Sequence, residues 1–199
     1  MKLKLNLPNV LVIIRIFIAI IVMILLMVQV IKGPKIMDVL LWITLILFLV
    51  ASATDYFDGC YARKHNQITA FGKLFDPLAD KILINSVMIF FTIFGWIPVW
   101  FTVLFVVRDI MVDGLRMNLA ASGEVMPAGI YGKLKTVFQM LGLMLLFIPA
   151  LHPDLISLNL TFNWDYWYTL IPLMIALVFS LWSGVLYYFN ALKGVKNEG

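Results

Sequence analysis

Between Lys81 and Arg108 not one residue carries a charge. That stretch belongs to a series. Val10–Ile31 holds only Arg15, and Val39–Ala53, Thr136–Leu151 and Tyr166–Leu192 hold no charge at all. A helix needs about 20 apolar residues to cross the hydrocarbon of a bilayer, and few other destinations suit so many such runs. The composition agrees: 63% of the 199 residues are hydrophobic and 13% charged. Soluble domains carry about 45–50% and about 25%. One small core cannot hide that much apolar surface.

The run Ile82–Val107 is long enough for one extended span or for parts of two. Gly95-Trp96-Ile97-Pro98 is a strong breaker cluster at its centre. The reading is a turn between helices at about 73–95 and 97–120, which gives six spans with both termini on one face. Basic residues test it, because they favour the cytoplasmic side. The cytoplasmic segments of this topology hold Lys2, Lys4, Arg15, Arg63, Lys64, Lys73, Lys81, Arg108, Arg116, Lys133, Lys135, Lys193 and Lys196, and the outer loops only Lys32 and Lys35. A single span over 82–107 would put Arg108 and Arg116 opposite Arg63 and Lys73. Trp164, Tyr166, Trp167 and Tyr168 read as interface anchors of an outer loop.

The expectation is an all-α integral protein of the cell (cytoplasmic) membrane, with six transmembrane helices and both termini cytoplasmic. It forms one domain over 1–199, with a juxtamembrane lead-in at 1–7 and a polar tail at 193–199. The first run is longer than a signal-peptide h-region and lacks an A-x-A site at its end, so it reads as a span. Cys60 is alone and excludes an internal disulfide or a cysteine metal cluster. The net charge of +4 reflects cytoplasmic loops rather than nucleic-acid binding. His65 and His152 are isolated and read as solvated loop residues.

Outside the tails the charges concentrate in 55–81 and 108–135, at the cytoplasmic ends of spans. Asp55 and Asp58 are three apart and Asp76 and Asp80 four apart, so each pair shares a face if helical. Pro77 suits a first helical turn, with Asp76 near that N-terminus. An unpaired Asp at the centre of a span costs about 2.5–3.5 kcal/mol, and less near the headgroups. Like charges repel as well. Two divalent cations would neutralise the cluster. All-oxygen ligands favour Mg²⁺, Mn²⁺ or Ca²⁺, and a pair of such ions suits in-line displacement at phosphorus. The alternative is that these are loop acids paired with Arg63, Lys64, Lys73 and Lys81.

Residues 55–80 match every fixed position and spacing of D-x2-D-G-x2-A-R-x8-G-x3-D-x3-D. In this the sequence resembles the CDP-alcohol phosphotransferase family. The resemblance implies a six-helix, usually homodimeric membrane enzyme with its site open to the cytoplasmic leaflet. It implies Asp55, Asp58 and Asp76 as metal ligands for two Mg²⁺ or Mn²⁺ ions. Asp80 would join the second metal and act as general base on an incoming hydroxyl. Gly59, Ala62, Arg63 and Gly72 would line the pocket for CDP-diacylglycerol, where small residues allow close approach and Arg63 can bond the pyrophosphate.

The resemblance extends to a bacterial subgroup whose acceptor is sn-glycerol 3-phosphate. Pro8-Asn9 through Arg15 resembles its opening, which adds Asn9 to the CDP-diacylglycerol set. Arg108 through Arg116, Gly132-Lys133-Leu-Lys135-Thr136 and Gln139 resemble later segments. Two positions depart from the subgroup: Asp109 where Glu is usual, and Asp113 where a small polar residue is usual. The second adds a negative charge near the acceptor pocket.

A phosphorylated acceptor carries about two negative charges at neutral pH. Arg15, Arg108, Arg116, Lys133 and Lys135 are the candidates to hold that phosphate, although basic residues flank spans in any case and Arg15 can snorkel. The expected activity is transfer of a phosphatidyl group from CDP-diacylglycerol to sn-glycerol 3-phosphate. Inositol phosphate, phosphatidylglycerol or serine as acceptor stays open. A cation transporter is the remote alternative, which would need its acids near the bilayer midplane.

Overall fold

The computed structural model describes residues 7–32, 37–64, 70–121, 129–148, 162 and 164–196, and for 55–64 and 70–77 the helical backbone without side chains. The lead-in before residue 7, most of the loop after residue 148, His65 and His152 lie outside the described residues. Among the described residues every regular element is helical. In chain order these are α1 (Leu7–Lys32), α2 (Met37–Lys64), α3 (Ala70–Ile93), α4 (Val99–Ala121), α5 (Ile130–Leu146), a 3₁₀ helix (Trp164–Leu170) and α6 (Ile171–Lys196).

The breaker cluster at 95–98 does end a helix, and its chemistry is explicit. Gly95 has φ 77°, a left-handed conformation that glycine adopts without penalty. Its N–H donates to the Thr92 carbonyl at 3.0 Å, and the Trp96 N–H donates to Phe91 O at 2.8 Å. These two bonds define a Schellman cap. The hydrophobic contact that accompanies such a cap is the Trp96 ring, 4.9 Å from that of Phe91. Pro98 then opens α4, its carbonyl accepting from the Phe101 N–H at 3.0 Å. The hydroxyls of Thr92 and Thr102 bond each other at 2.7 Å and tie the two helices just beyond the turn.

One local expectation is corrected. Pro77 is not in a first helical turn, because α3 already begins at Ala70. The proline removes one ladder donor, but Ala70, Lys73 and Leu74 favour helix ahead of it, so the helix continues through Asp76.

The core is aromatic where the helices meet. Phe48 of α2, Phe91 of α3 and Phe147 after α5 are fully buried, with Phe91–Phe147 edge-to-face at 4.7 Å and Phe48–Phe147 at 5.5 Å. Such ring pairs contribute about 0.5–1.5 kcal/mol beyond area burial. α1 packs on α2 and α3, while α6 packs on α4 and α5. The last contact is close because Gly142 has no side chain: a Cβ there would lie 2.6 Å from Leu173 Cγ. Several hydroxyls within these apolar helices are satisfied locally, as in Ser52 to Phe48 O at 2.8 Å and Thr92 to Met88 O at 2.9 Å.

The outside is apolar too. Phe17, Ile24 and Met27 on α1 and Val178, Trp182 and Phe189 on α6 are exposed. Among the described residues two helical segments, Asn9–Lys32 and Trp167–Phe189, are long and apolar enough to cross a membrane. Only 28% and 39% of their most apolar windows are buried, too little for core helices of a soluble protein. Exposed apolar surface this extensive marks a surface meant for lipid.

Candidate active site where α3, α4 and α5 converge

Two adjoining cavities lie among the polar ends of the helices. The inner one, about 170 Å³, is lined by Asp80, Lys81, Ile84 and Asn85 of α3, Asp109 of α4, and Lys135, Thr136 and Gln139 of α5. The outer one, about 430 Å³, is lined by Ser52, Lys81, Arg108, Asp109, Val112, Asp113, Arg116, Gly132, Lys133, Lys135, Thr136, Val137 and Met140. Lys81, Asp109, Lys135 and Thr136 wall both. A ligand could therefore reach from the outer cleft toward Asp80.

Helical register explains the lining. Residues 80, 81, 84 and 85 form one face of α3, and 108, 109, 112, 113 and 116 one face of α4. On α5, positions 132, 133, 135, 136 and 139 do the same. Apart from Ile84, Val112 and Gly132, the residues of these stripes are polar or charged.

Asp109 is the electrostatic centre. Lys135 Nζ lies 2.5 and 2.6 Å from its two oxygens, and Arg108 Nη1 lies 2.9 Å from Oδ1. Asp109 and Lys135 are both buried, so each charge is tolerated because of the other. Lys81 pairs with Asp113 in the wall of the outer cleft. Among the described residues neither Arg116 nor Lys133 has a carboxylate partner. The outer cleft thus presents five cationic side chains against two carboxylates, a surplus suited to an anion.

Arg108 and Arg116 are held from α6. Arg108 Nε donates to Ser180 O at 2.8 Å, and its Nη2 donates to Ser183 Oγ. Arg116 Nη2 donates to the Tyr187 hydroxyl at 2.6 Å, with the guanidinium carbon 4.8 Å from that ring's centroid. Arg116 Nε is buried and has no hydrogen-bond partner among the described residues.

The sequence-predicted residues are thus distributed unevenly. Arg108, Arg116, Lys133 and Lys135 are brought together around the outer cleft. Arg15 is not with them. It is fully buried, and its Nη1 lies 3.5 Å from Asp80 Oδ1, a carboxylate one-quarter exposed. Its place in the fold is beside Asp80 rather than in the outer cleft, because a guanidinium buried in α1 needs a carboxylate. Asn9 is buried in the first turns of α1. Asp55, Asp58, Gly59, Ala62 and Arg63 lie on α2, and Gly72 and Asp76 on α3; their side chains are outside the described residues. No cluster of three metal-ligating side chains occurs among the described residues. Sequence reasoning missed Lys81, Asn85 and the α6 set. Ser180, Ser183 and Tyr187 repeat at intervals of three and four in the uncharged part of α6, residues 171–192, which was the available signal.

With every regular element helical among the described residues, an apolar exterior and charges where three helices converge, the molecule is a membrane protein with a polar cleft. The chain belongs to the CDP-alcohol phosphatidyltransferase family, whose model matches residues 5–182. It is 37% identical over 153 residues to a CDP-diacylglycerol--glycerol-3-phosphate 3-phosphatidyltransferase of Bacillus subtilis (strain 168), covering 77% of this chain and 75% of that protein. Proteins with the same name are 35% identical in Mycoplasma pneumoniae (80% of this chain, 71% of the relative) and 35% identical in Rickettsia prowazekii (80% and 84%).

Proposed function

We propose that the protein transfers the phosphatidyl group of CDP-diacylglycerol to sn-glycerol 3-phosphate, giving phosphatidylglycerol phosphate and CMP. One observation carries this reading: the cavity beside Asp80 opens into a cleft with a cationic surplus. An acceptor with a phosphate at one end and a hydroxyl at the other spans such a pair of cavities. Arg108, Arg116 and Lys133 hold the phosphate by charge-assisted hydrogen bonds, and Lys135 closes the boundary between the cavities. The hydroxyl then faces Asp80.

Asp80 takes the hydroxyl proton as the oxygen attacks the phosphorus next to diacylglycerol. The new P–O bond forms as the bond to CMP breaks. Arg15 holds the Asp80 carboxylate in place. Gly59, Ala62, Arg63, Gly72 and Asn9 take the CDP-diacylglycerol side.

Asp55, Asp58, Asp76 and Asp80 suit two Mg²⁺ or Mn²⁺ ions. The donor set is all carboxylate oxygen, and it sits on two helices that contact each other. Bound there, such ions supply Lewis-acid charge to phosphoryl oxygens.

The reading includes six membrane spans as one domain, both termini and the site on the cytoplasmic side, and a homodimer. The spans are supported by helix lengths of 26, 28, 24, 23, 17 and 26 residues for α1 to α6, within or slightly above the spanning range of about 17–25. The orientation is supported by the Lys and Arg distribution. The test is an acceptor screen on purified protein with CDP-diacylglycerol and Mn²⁺, following CMP release. Glycerol 3-phosphate is expected to give product and inositol phosphate, phosphatidylglycerol and serine none. No product with glycerol 3-phosphate would end the claim.

A further inference from the structure

Tyr187 is a buried phenol in a helix that carries no charge from 171 to 192. A tyrosine hydroxyl buried in such a place needs polar partners, and this one has them on two other elements. Its oxygen accepts from Arg116 Nη2 of α4 at 2.6 Å and from the Gly129 backbone N–H at 3.1 Å. Gly129 is the N-cap residue of α5, and no side chain caps that end. One hydroxyl therefore joins the guanidinium of α4 to the start of the helix that carries Lys133 and Lys135.

The geometry points to Tyr187 as a positioning residue for the acceptor phosphate: it fixes the Arg116 guanidinium and sets the distance between that cation and the lysines of α5. This inference rests on the proposed acceptor. Three observations support it. The ring face lies 4.8 Å from the guanidinium carbon, so the same side chain restrains Arg116 by its hydroxyl and by a cation–π contact. Among the described residues Arg116 Nε has no hydrogen-bond partner, so there the guanidinium is held through Nη2 by the Tyr187 hydroxyl. Ser183, one turn earlier on α6, does for Arg108 what Tyr187 does for Arg116. An arginine fixed before the ligand arrives loses less rotamer freedom on binding.

Tyr187→Phe separates this role from packing, since it keeps the ring and its burial and removes only the hydroxyl. KM for glycerol 3-phosphate is expected to rise on the order of tenfold, the scale of one hydrogen bond to a charged group. KM for CDP-diacylglycerol and the thermal midpoint in detergent should stay near those of the parent. Because Tyr187 acts through Arg116, the same change in an Arg116→Gln background should add less than about twofold to the acceptor KM. An unchanged acceptor KM, equal rises in both KM values, or losses that multiply in the double variant would each overturn the assignment. The parent enzyme in the same assay separates the two claims. If it fails to use glycerol 3-phosphate, the proposed function and this inference both fall; if only the variant behaves like the parent, this inference falls alone.

Discussion

Lys135 and Asp109 meet inside the protein, the ammonium reaching both carboxylate oxygens at 2.5 and 2.6 Å from a helix 26 positions further along the chain. Asp109 has a second cation in Arg108, but Lys135 has no second carboxylate among the described residues. The two ends of the pair should therefore respond unequally to mutation.

Removing one partner of a buried pair typically costs about 3–5 kcal/mol, because the other charge is left uncompensated. Asp109→Ala is expected to fall in that range. Lys135→Met should cost less, since Arg108 still neutralises Asp109. Thermal unfolding in detergent measures both, and a larger loss for Lys135→Met would contradict this account of the site.

Asp80→Asn preserves shape and removes proton-accepting capacity. Turnover should drop by on the order of 10² to 10⁴, the usual contribution of a positioned general base, and CMP release measures it. Activity within a few-fold of the parent would exclude the base role. The same assay should fall to background with a chelator and recover with Mg²⁺ or Mn²⁺.

Asp113 places a negative charge in the wall of the outer cleft, the site proposed for the acceptor phosphate. Asp113→Ser should lower KM for glycerol 3-phosphate by roughly two- to fivefold at low salt, with the gain shrinking as ionic strength rises. A raised KM would mean instead that Lys81 depends on Asp113 for its position.

Gly142→Ala tests the closest helix contact. The added methyl would meet Leu173 Cγ at 2.6 Å and the Leu173 backbone nitrogen at 3.1 Å. The second of these cannot rotate away, so α5 and α6 must separate. A loss of about 1–3 kcal/mol is expected, read as a lowered unfolding midpoint; an unchanged midpoint would show that the contact is slack.

The helical fold was legible because spans write themselves as long uncharged runs, and the turn at 95–98 because Gly and Pro interrupt one of them. α3 was expected from about 73 and starts at Ala70; only Pro77 was misplaced, since it looks like a helix opening while the favourable residues before it carry the helix further back. The cationic cleft could be foreseen, since Arg108, Arg116, Lys133 and Lys135 share one end of their helices. Their partners could not. Pairing Lys135 with Asp109, or Arg15 with Asp80, depends on which helices lie side by side, and local spacing does not encode that. Tyr187 was hidden for a related reason: on an apolar helix a phenol reads as an interface anchor until the neighbouring arginine is seen.

The tight cap at Gly95 does more than reverse the chain. With no slack between Phe94 and Pro98, progress down α3 to Lys81 is locked to progress down α4 to Asp113, and the pairing of those two side chains is the visible outcome. An extra residue fed into α4 would advance it about 1.5 Å and rotate it about 100°, turning the whole Arg108–Arg116 row away from the α3 wall. The joint works as a ruler: its length, set at the far end of both helices, calibrates the spacing of charges in the outer cleft.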